Sequence, residues 1–528
     1  MNVSRSHAQD LDGDSSDAIS SSAAWWLLGA ICLLFLAIRI PVMYLQPGGM
    51  DEECYAVPGW MIARTGVPSL PHVPARNAES VYYHAEQGLY SEPPVFFYFQ
   101  SLFFLALPPV YGTGRLAAAV AGIALLGLMF QLMRSLGARR SAALWAVLLY
   151  SLSRCFFFPA MRARPEMLCA VFGLLAMECL FRWIDTKQIK WLGFIGICIG
   201  LGGLTHPFAI VYAVQLAVWT MIVARGWQRL LLPTMLAVVA VAVTATWLPL
   251  IWPHPDVFRI QFHNQFIHDA GGGLFARMLN PWESFAYHWF RPVAGLVPHL
   301  GLWQIGLALA PLVWVTAEAV RYRDRRWLPI CLCAWTSMYL ICVLVGPHHQ
   351  ITGYWCYTGA LMYLCVGRAV GSILSFGHRW KPLLRTAWMV GVSGVLLVSL
   401  VPGAGLRAVA TLVWKRNNLN YNAPAFADHL IRSLPRDAAY AVDTEFVFDF
   451  IAHERQAVWA LMNPTMFLVD QYPFDYLIVS RFALDSGLVK GLPVVLERTF
   501  GDRDDLFACY CEVYRRVGVE PAPNDNEQ

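Results

Sequence analysis

Charge is scarce in this chain, and so are the sequence templates of soluble enzymes. Only 14% of the 528 residues are Asp, Glu, Lys or Arg, against 57% hydrophobic residues and a mean hydropathy of +0.47. Much of such a chain must sit in lipid rather than water. There is no Gly-rich loop of the ATP-binding kind, no dinucleotide fingerprint and no Ser elbow. The net charge of +4 comes from Arg and Lys gathered in short loops between apolar runs. That distribution sets the orientation of a membrane protein and does not make a nucleic-acid face, so nucleic acid is discarded as a partner. The 13 cysteines imply no disulfide framework. Most lie within apolar runs (Cys32, Cys155, Cys169, Cys179, Cys198, Cys331, Cys333 and Cys342), where they behave as small hydrophobes. Cys509 and Cys511 form a Cys-x-Cys pair, which on one strand face packs more often than it binds metal.

What is abundant is apolar sequence of spanning length. Residues 1–22 are rich in Ser and Asp and read as a disordered cytoplasmic leader. The first span, 24–45, lacks a basic n-region and a small-residue cleavage site and is expected to remain as an anchor. Runs at 113–133, 139–158, 166–184, 190–204, 207–224, 229–252, 295–318, 327–345, 354–375 and 383–402 follow, for about eleven crossings. The segment 93–111 is short, bounded by Pro-Pro pairs and full of Phe and Tyr. If it only dips into the interface, the basic loops at 134–140, 182–190, 225–229, 321–326 and 378–385 all fall inside, as the positive-inside rule requires. The outer face then receives the loop 46–93, the turns 162–166 and 205–207, the loop 253–292 and the segment 346–350.

The expected architecture is an α-helical polytopic membrane protein with interfacial helices. Its membrane domain is 23–403, with a long first outer loop at 46–93. After it comes a small outer α/β domain at 404–520, in which 423–434 has helical spacing and 438–442 and 476–479 read as buried strands. The last residues, 521–528, read as a disordered tail.

The chain is organised around Pro47-Gly48-Gly49-Met50-Asp51-Glu52-Glu53-Cys54-Tyr55, which opens the first loop. Three consecutive carboxylates sit where an anchoring span would more often show Trp, Tyr or Arg. A solvated acidic loop is the bland alternative. The loop closes at Ser91-Glu92-Pro93-Pro94, followed by Val95-Phe96-Phe97-Tyr98; Gly114-Arg115-Leu116 opens the next span, and Arg162-x-Arg164-x-Glu166 opens a later one.

In that order these features resemble the polyprenyl-phosphate-dependent glycosyltransferases of the GT-C superfamily, the group that includes protein O-mannosyltransferases and lipid A aminoarabinose transferases. The resemblance covers roughly the first 210 residues and the remainder by its layout of spans and outer tail. It implies a GT-C fold, a sugar donor carried on undecaprenyl or dolichyl phosphate, and a lipid, glycan or protein acceptor. It further implies transfer at the outer face of a bacterial inner membrane by a single inverting displacement. In such enzymes the first outer loop supplies a carboxylate, which falls on Asp51 with Glu52 beside it; a base there takes the acceptor proton as the hydroxyl attacks. Tyr55 completes the motif. Glu166 matches a second acidic position, where relatives more often have Asp; its alternative is a helix N-terminal carboxylate favoured by the macrodipole.

The departing phosphate calls for cations or a metal. Relatives often carry Lys where this chain has Glu92, and Lys before Gly-Pro where it has His206-Pro207. The cation can instead come from Arg162, Arg164, His206, His348 or His349, and for each an interface anchor or hydrogen-bonded helix end is an equal alternative. A divalent cation is compatible with Asp51, Glu52, Glu92 and Glu166, although no compact ligand motif is present. On this reading acidic and basic side chains far apart in sequence must meet in one outward-facing hollow. Two other functions stay open. A transporter or lipid-carrier flippase calls for mid-span charges and related halves, of which Glu178, near an inner end, is a meagre sign. An inactive scaffold remains open because the family's lysines are absent.

Overall fold

The computed structural model describes residues 19–49, 51–268, 274–290, 298–345, 353–376, 380–400 and 405–517. The chain divides into two compact units, one of Met1–Ile38, Ala118–Thr246 and Gly272–Leu406, the other of Arg39–Ala117, Trp247–Gly271 and Arg407–Gln528.

The first unit is a bundle of apolar helices. Every run of spanning length in the sequence is helical over most of its described residues. Among the described residues of the chain, six helices are long and apolar enough to cross a membrane: Ser21–Leu45, Tyr111–Ser135, Glu166–Thr186, Gln228–Ile251, Trp327–Val345 and Trp355–Phe376. A seventh arises if Arg140–Leu152 and Arg154–Ala160, bent by 61°, form one span. Lys190–Gly203, Ala209–Val223 and Pro382–Val398 are shorter apolar helices, so the expected eleven runs form helices of unequal length. Small residues set some of the closest approaches. A Cβ on Gly173 would lie 2.2 Å from the ring of Tyr212, and one on Gly196 would lie 2.6 Å from Val239.

Loops sort to the two ends of this bundle. At one end Arg326 donates to the Ser135 carbonyl at 2.8 Å and pairs with Asp185 at 3.5 Å, while Ser135 Oγ and Arg182 Nε both reach Glu178 Oε1 at 3.0 Å. Arg164, Glu166, His206 and Tyr354 gather at the other end of the 21-residue helix Glu166–Thr186, about 18 Å along its axis from Glu178 and about 28 Å from Asp185.

The second unit joins three parts of the sequence. The tail has a hydrophobic core of its own and also packs against the first loop. Phe448 packs against Trp60, Phe104 and Tyr111 at ring distances of 5.7, 5.8 and 5.3 Å, and Val81 and Trp459 make backbone hydrogen bonds to Thr465 and His72 respectively. The first loop is itself partly helical. Glu52–Thr65 is a helix ended by Gly66, whose φ of 83° suits a residue without Cβ and whose N–H returns to the Ile62 carbonyl. Val95–Phe104 is a ten-residue helix, about 15 Å long and half the thickness of a bilayer core. Buried Gln261 fastens the loop between them: its Oε1 accepts from the Tyr90 and Ser91 N–H groups, and its Nε2 donates to the carbonyls of Tyr83 and Gly88.

The tail folds around a five-stranded sheet. Its strands are β1 (Tyr440–Val442), β2 (Ala457–Trp459), β5 (Tyr476–Ser480), β6 (Val494–Gly501) and β7 (Tyr510–Arg516), and a separate hairpin pairs β3 (Met462–Asn463) with β4 (Phe467–Leu468). The order is β2-β1-β5-β7-β6, with β1 parallel to β2 and β5, and β7 antiparallel to β5 and β6. The helix Ala423–Arg432, capped by Asn422, lays Phe426, Ala427, Leu430 and Ile431 on the sheet. Cys509 and Cys511 are buried in that core.

Candidate active site

In the second unit the acidic stretch is the first turn of a helix. Asp51 is the N-cap residue in the left-handed conformation (φ 66°, ψ 9°), its side chain does not cap the helix, and it is exposed. Aspartate tolerates this region better than most residues, at a cost of about 1–2 kcal/mol, and such strain gathers at functional sites. Glu52 and Glu53 occupy the positive end of the helix macrodipole, and both are buried.

Glu52 is held by Arg115. The guanidinium Nε and one Nη donate to the two carboxylate oxygens at 2.8 and 2.6 Å, a bidentate pair sealed from solvent. The remaining donors go to the carbonyls of Met43, Gln46 and Pro47 at 2.6, 2.9 and 2.6 Å. Arg115 thus satisfies a carbonyl at the C-terminal end of the first span and ties it to the helix that carries Asp51. Glu53 points elsewhere. Its Oε1 accepts from Thr444 Oγ1 at 3.2 Å, and Oε2 is buried without a hydrogen-bond partner. Burial, with the negative charge of Asp51 beside it, pushes the Glu53 carboxyl well above the usual carboxylate range. Nearby, burial raises Asp449 to about 7 despite Arg115. Glu92 is half-buried, and its charge, like that of Asp51, acts on Cys54 and Tyr82. Tyr55 is buried 6.2 Å from the ring of Phe97.

The second cluster belongs to the bundle unit. Arg164 Nε donates to Glu166 Oε1 at 2.7 Å, and an Nη reaches the Tyr354 hydroxyl at 3.2 Å. Glu166 is fully buried at the N-terminus of its helix, and its Oε2 has no hydrogen-bond partner. Gly353 lies against it, where a Cβ would stand 3.2 Å from Glu166 Oε1. His206 is buried among Tyr354, Phe208 and Tyr357, and its Nδ1 accepts from the Phe208 N–H at 3.2 Å. Burial, with Arg164 close by, lowers its pKa to about 3, so His206 is a neutral imidazole and brings no positive charge to a phosphate. Arg162 is half-exposed, its guanidinium 5.7 Å from the ring centre of Phe158.

The structure therefore brings Asp51, Glu52, Tyr55 and Glu92 together in one unit and Arg162, Arg164, Glu166 and His206 in the other. His348 and His349 lie outside the described residues. Among the described residues no group of three or more His, Cys, Asp or Glu side chains is placed to hold a metal ion. Thr444 and Asp449 carry no signal in the sequence, and Glu53 carries only that of the acidic run. Glu53 was the third of three alike residues, and its partner Thr444 is 391 positions away.

Residues 91–252 match the family described as dolichyl-phosphate-mannose-protein mannosyltransferase. No curated protein sequence matches the chain. Among solved structures, the chain is similar to ArnT from Cupriavidus metallidurans, both bound to undecaprenyl phosphate and in the apo state. Each comparison gives a TM-score of 0.57 at 15% identity, covering 94% of this chain and 98% of the other. An Archaeoglobus fulgidus oligosaccharyltransferase, tethered to an acceptor peptide containing the NVT sequon, gives a TM-score of 0.50 at 11% identity over 88% of this chain and 70% of its own. The family match thus covers residues 91–252, and the fold shared with ArnT runs over nearly the whole length of the chain.

Proposed function

We propose that the protein transfers a sugar from a polyprenyl-phosphate donor to an acceptor hydroxyl at the outer face of the membrane, with inversion, and that Asp51 is the general base. The observation that carries this reading is the setting of Asp51: an exposed carboxylate in a left-handed N-cap, on a helix pinned by the buried Glu52–Arg115 pair. Similarity to a protein crystallised with undecaprenyl phosphate supports the choice of donor.

The chemistry assigns each group a task. Asp51 accepts the proton of the acceptor O–H as its oxygen bonds to the anomeric carbon. The bond from that carbon to the phosphate oxygen breaks, and the electron pair leaves with the polyprenyl phosphate. Glu52 positions Asp51 through Arg115. Half-exposed Arg162 is the cation assigned to the phosphate, with Arg164 beside it in sequence, while neutral His206 brings no charge. Glu92 and Tyr55 are assigned to substrate binding, and Glu166 orients Arg164.

The test uses the full chain in lipid nanodiscs with synthetic polyprenyl-phosphate sugars and membrane-lipid, glycan and peptide acceptors. Wild-type protein releases polyprenyl phosphate together with a glycosylated acceptor, and Asp51→Asn lowers turnover by about 10²-fold or more. Full turnover in Asp51→Asn removes that residue from the mechanism. Movement of intact donor across the bilayer without release of polyprenyl phosphate would point to a flippase instead.

A further inference from the structure

Behind the acidic turn, three hydrogen-bonding groups converge on Thr444 of the tail and a fourth on its neighbour Glu445. Thr444 follows strand β1 and Asp443, whose buried carboxylate accepts from the N–H groups of Ser480 and Glu445 and so shapes the turn. The Thr444 hydroxyl accepts from Trp459 Nε1 at 3.2 Å and donates to Glu53 Oε1 at 3.2 Å, while its carbonyl accepts from the Tyr111 hydroxyl at 2.6 Å. The neighbouring Glu445 carbonyl accepts from the N–H of Gly48 at 3.1 Å. The fit is close: a Cβ on Gly48 would stand 2.4 Å from the Tyr111 ring and 2.7 Å from the Thr444 carbonyl. The acidic loop is thus fastened on both sides of Asp51, at Gly48 before it and at Glu53 after it, to a single turn of the tail.

We infer that Glu53 and Thr444 are positioning residues, a brace through which the C-terminal sheet holds Asp51 in its working conformation, and that Glu53 acts there as an uncharged acid. This rests on the base role given to Asp51 above. The groups facing Glu53 explain why it carries its proton. Asp51, Glu52 and Cys54 lie on its own helix, with the Cys54 thiol 3.9 Å from Oε1, and the Tyr111 phenol and Thr444 hydroxyl face it from other elements. Arg115, the cation in this cluster, is engaged by Glu52. An ionised Glu53 would place a third charge in the acidic turn with one oxygen buried and unpartnered, whereas the neutral acid keeps the Thr444 bond and leaves no buried charge to desolvate. Asp51 is two residues away in a strained conformation, and displacement of a reacting group by about 1 Å can cost 10²-fold in rate.

Hydrogen–deuterium exchange of the full chain in nanodiscs reads the brace without reference to activity. Thr444→Val and Glu53→Ala should each speed amide exchange in the first turn of the Glu52–Thr65 helix by about tenfold, while Glu53→Gln, which keeps an acceptor oxygen and no charge, should leave it unchanged. In the transfer assay the first two variants should lose about tenfold in kcat with little change in donor KM. Glu53→Gln and Thr444→Ser should stay within about threefold of wild type. Unchanged exchange in both Thr444→Val and Glu53→Ala overturns the brace whatever the enzyme does. Faster exchange with undiminished kcat overturns the positioning role, and Glu53→Gln as inactive as Asp51→Asn shows that Glu53 works as an ionised base. If Asp51→Asn alone retains full turnover, the base assignment fails, while exchange still reports whether the turn is braced.

Discussion

Arg115 spends every one of its N–H groups inside the protein, two on Glu52 and the others on three carbonyls, and that commitment sets what its loss does. Arg115→Met leaves Glu52 as an uncompensated buried charge and strands the carbonyls of Met43, Gln46 and Pro47. Removing one partner of a buried pair costs about 3–5 kcal/mol. Glu52→Gln keeps an acceptor for the guanidinium and leaves the three carbonyls served, so its effect should be the smaller by at least about 2 kcal/mol. Thermal unfolding of the two variants in the same detergent checks the order, and equal shifts in Tm would mean that the carbonyl contacts contribute nothing. The sequence marks Arg115 only as part of a Gly-Arg-Leu opening to a span. Its partners are 63 to 72 positions away, and no local pattern names them.

Among the elements, those governed by a single physical demand were legible in advance. A bilayer asks for long apolar runs, and each such run is a helix; the helix at Ala423–Arg432 and the strands β1 and β5 follow the periodicity of their side chains. The helix Glu52–Thr65 was hidden because carboxylates at its N-terminus read as a solvated loop, although that end of a helix is where carboxylates are favoured. The union of residues 39–117 with the tail was hidden too, since it depends on aromatic packing such as that of Phe448, which sequence spacing does not encode. Packing between helices carries its own prediction. Gly173 meets the face of Tyr212, whose hydroxyl donates to the Tyr357 carbonyl at 3.4 Å. Gly173→Ala forces that ring aside and should destabilise the bundle by about 1–3 kcal/mol, the usual range for overpacking. Adding Tyr212→Leu makes room for the new methyl group, so the double variant should be less destabilised than the sum of the singles, as judged by unfolding. Strict additivity would mean that the two helices are not in contact at this point.

For the whole molecule, the sorting of charge between the two ends of the bundle supports a proposal for which way it faces. Arg326, Ser135, Asp185 and Arg182 join three of the basic loops at one end of the Glu166–Thr186 helix, and Arg164, Glu166 and His206 occupy the other. Because clustered Arg and Lys in short loops tend to be retained on the cytoplasmic side, we propose that the end with Arg164 faces outward. The same orientation needs the segment before Tyr111 to lie in the interface, and a ten-residue Val95–Phe104 helix, about 15 Å long, is too short to cross. Two exposed sites test this without disturbing either cluster: Gln188 in a basic loop and Glu79 in the first loop. In intact cells a membrane-impermeant maleimide should label Glu79→Cys and spare Gln188→Cys until the membrane is opened. Labelling of Gln188→Cys from outside would invert the protein and place Asp51 on the cytoplasmic side, where the outer-face transfer proposed for it could not take place.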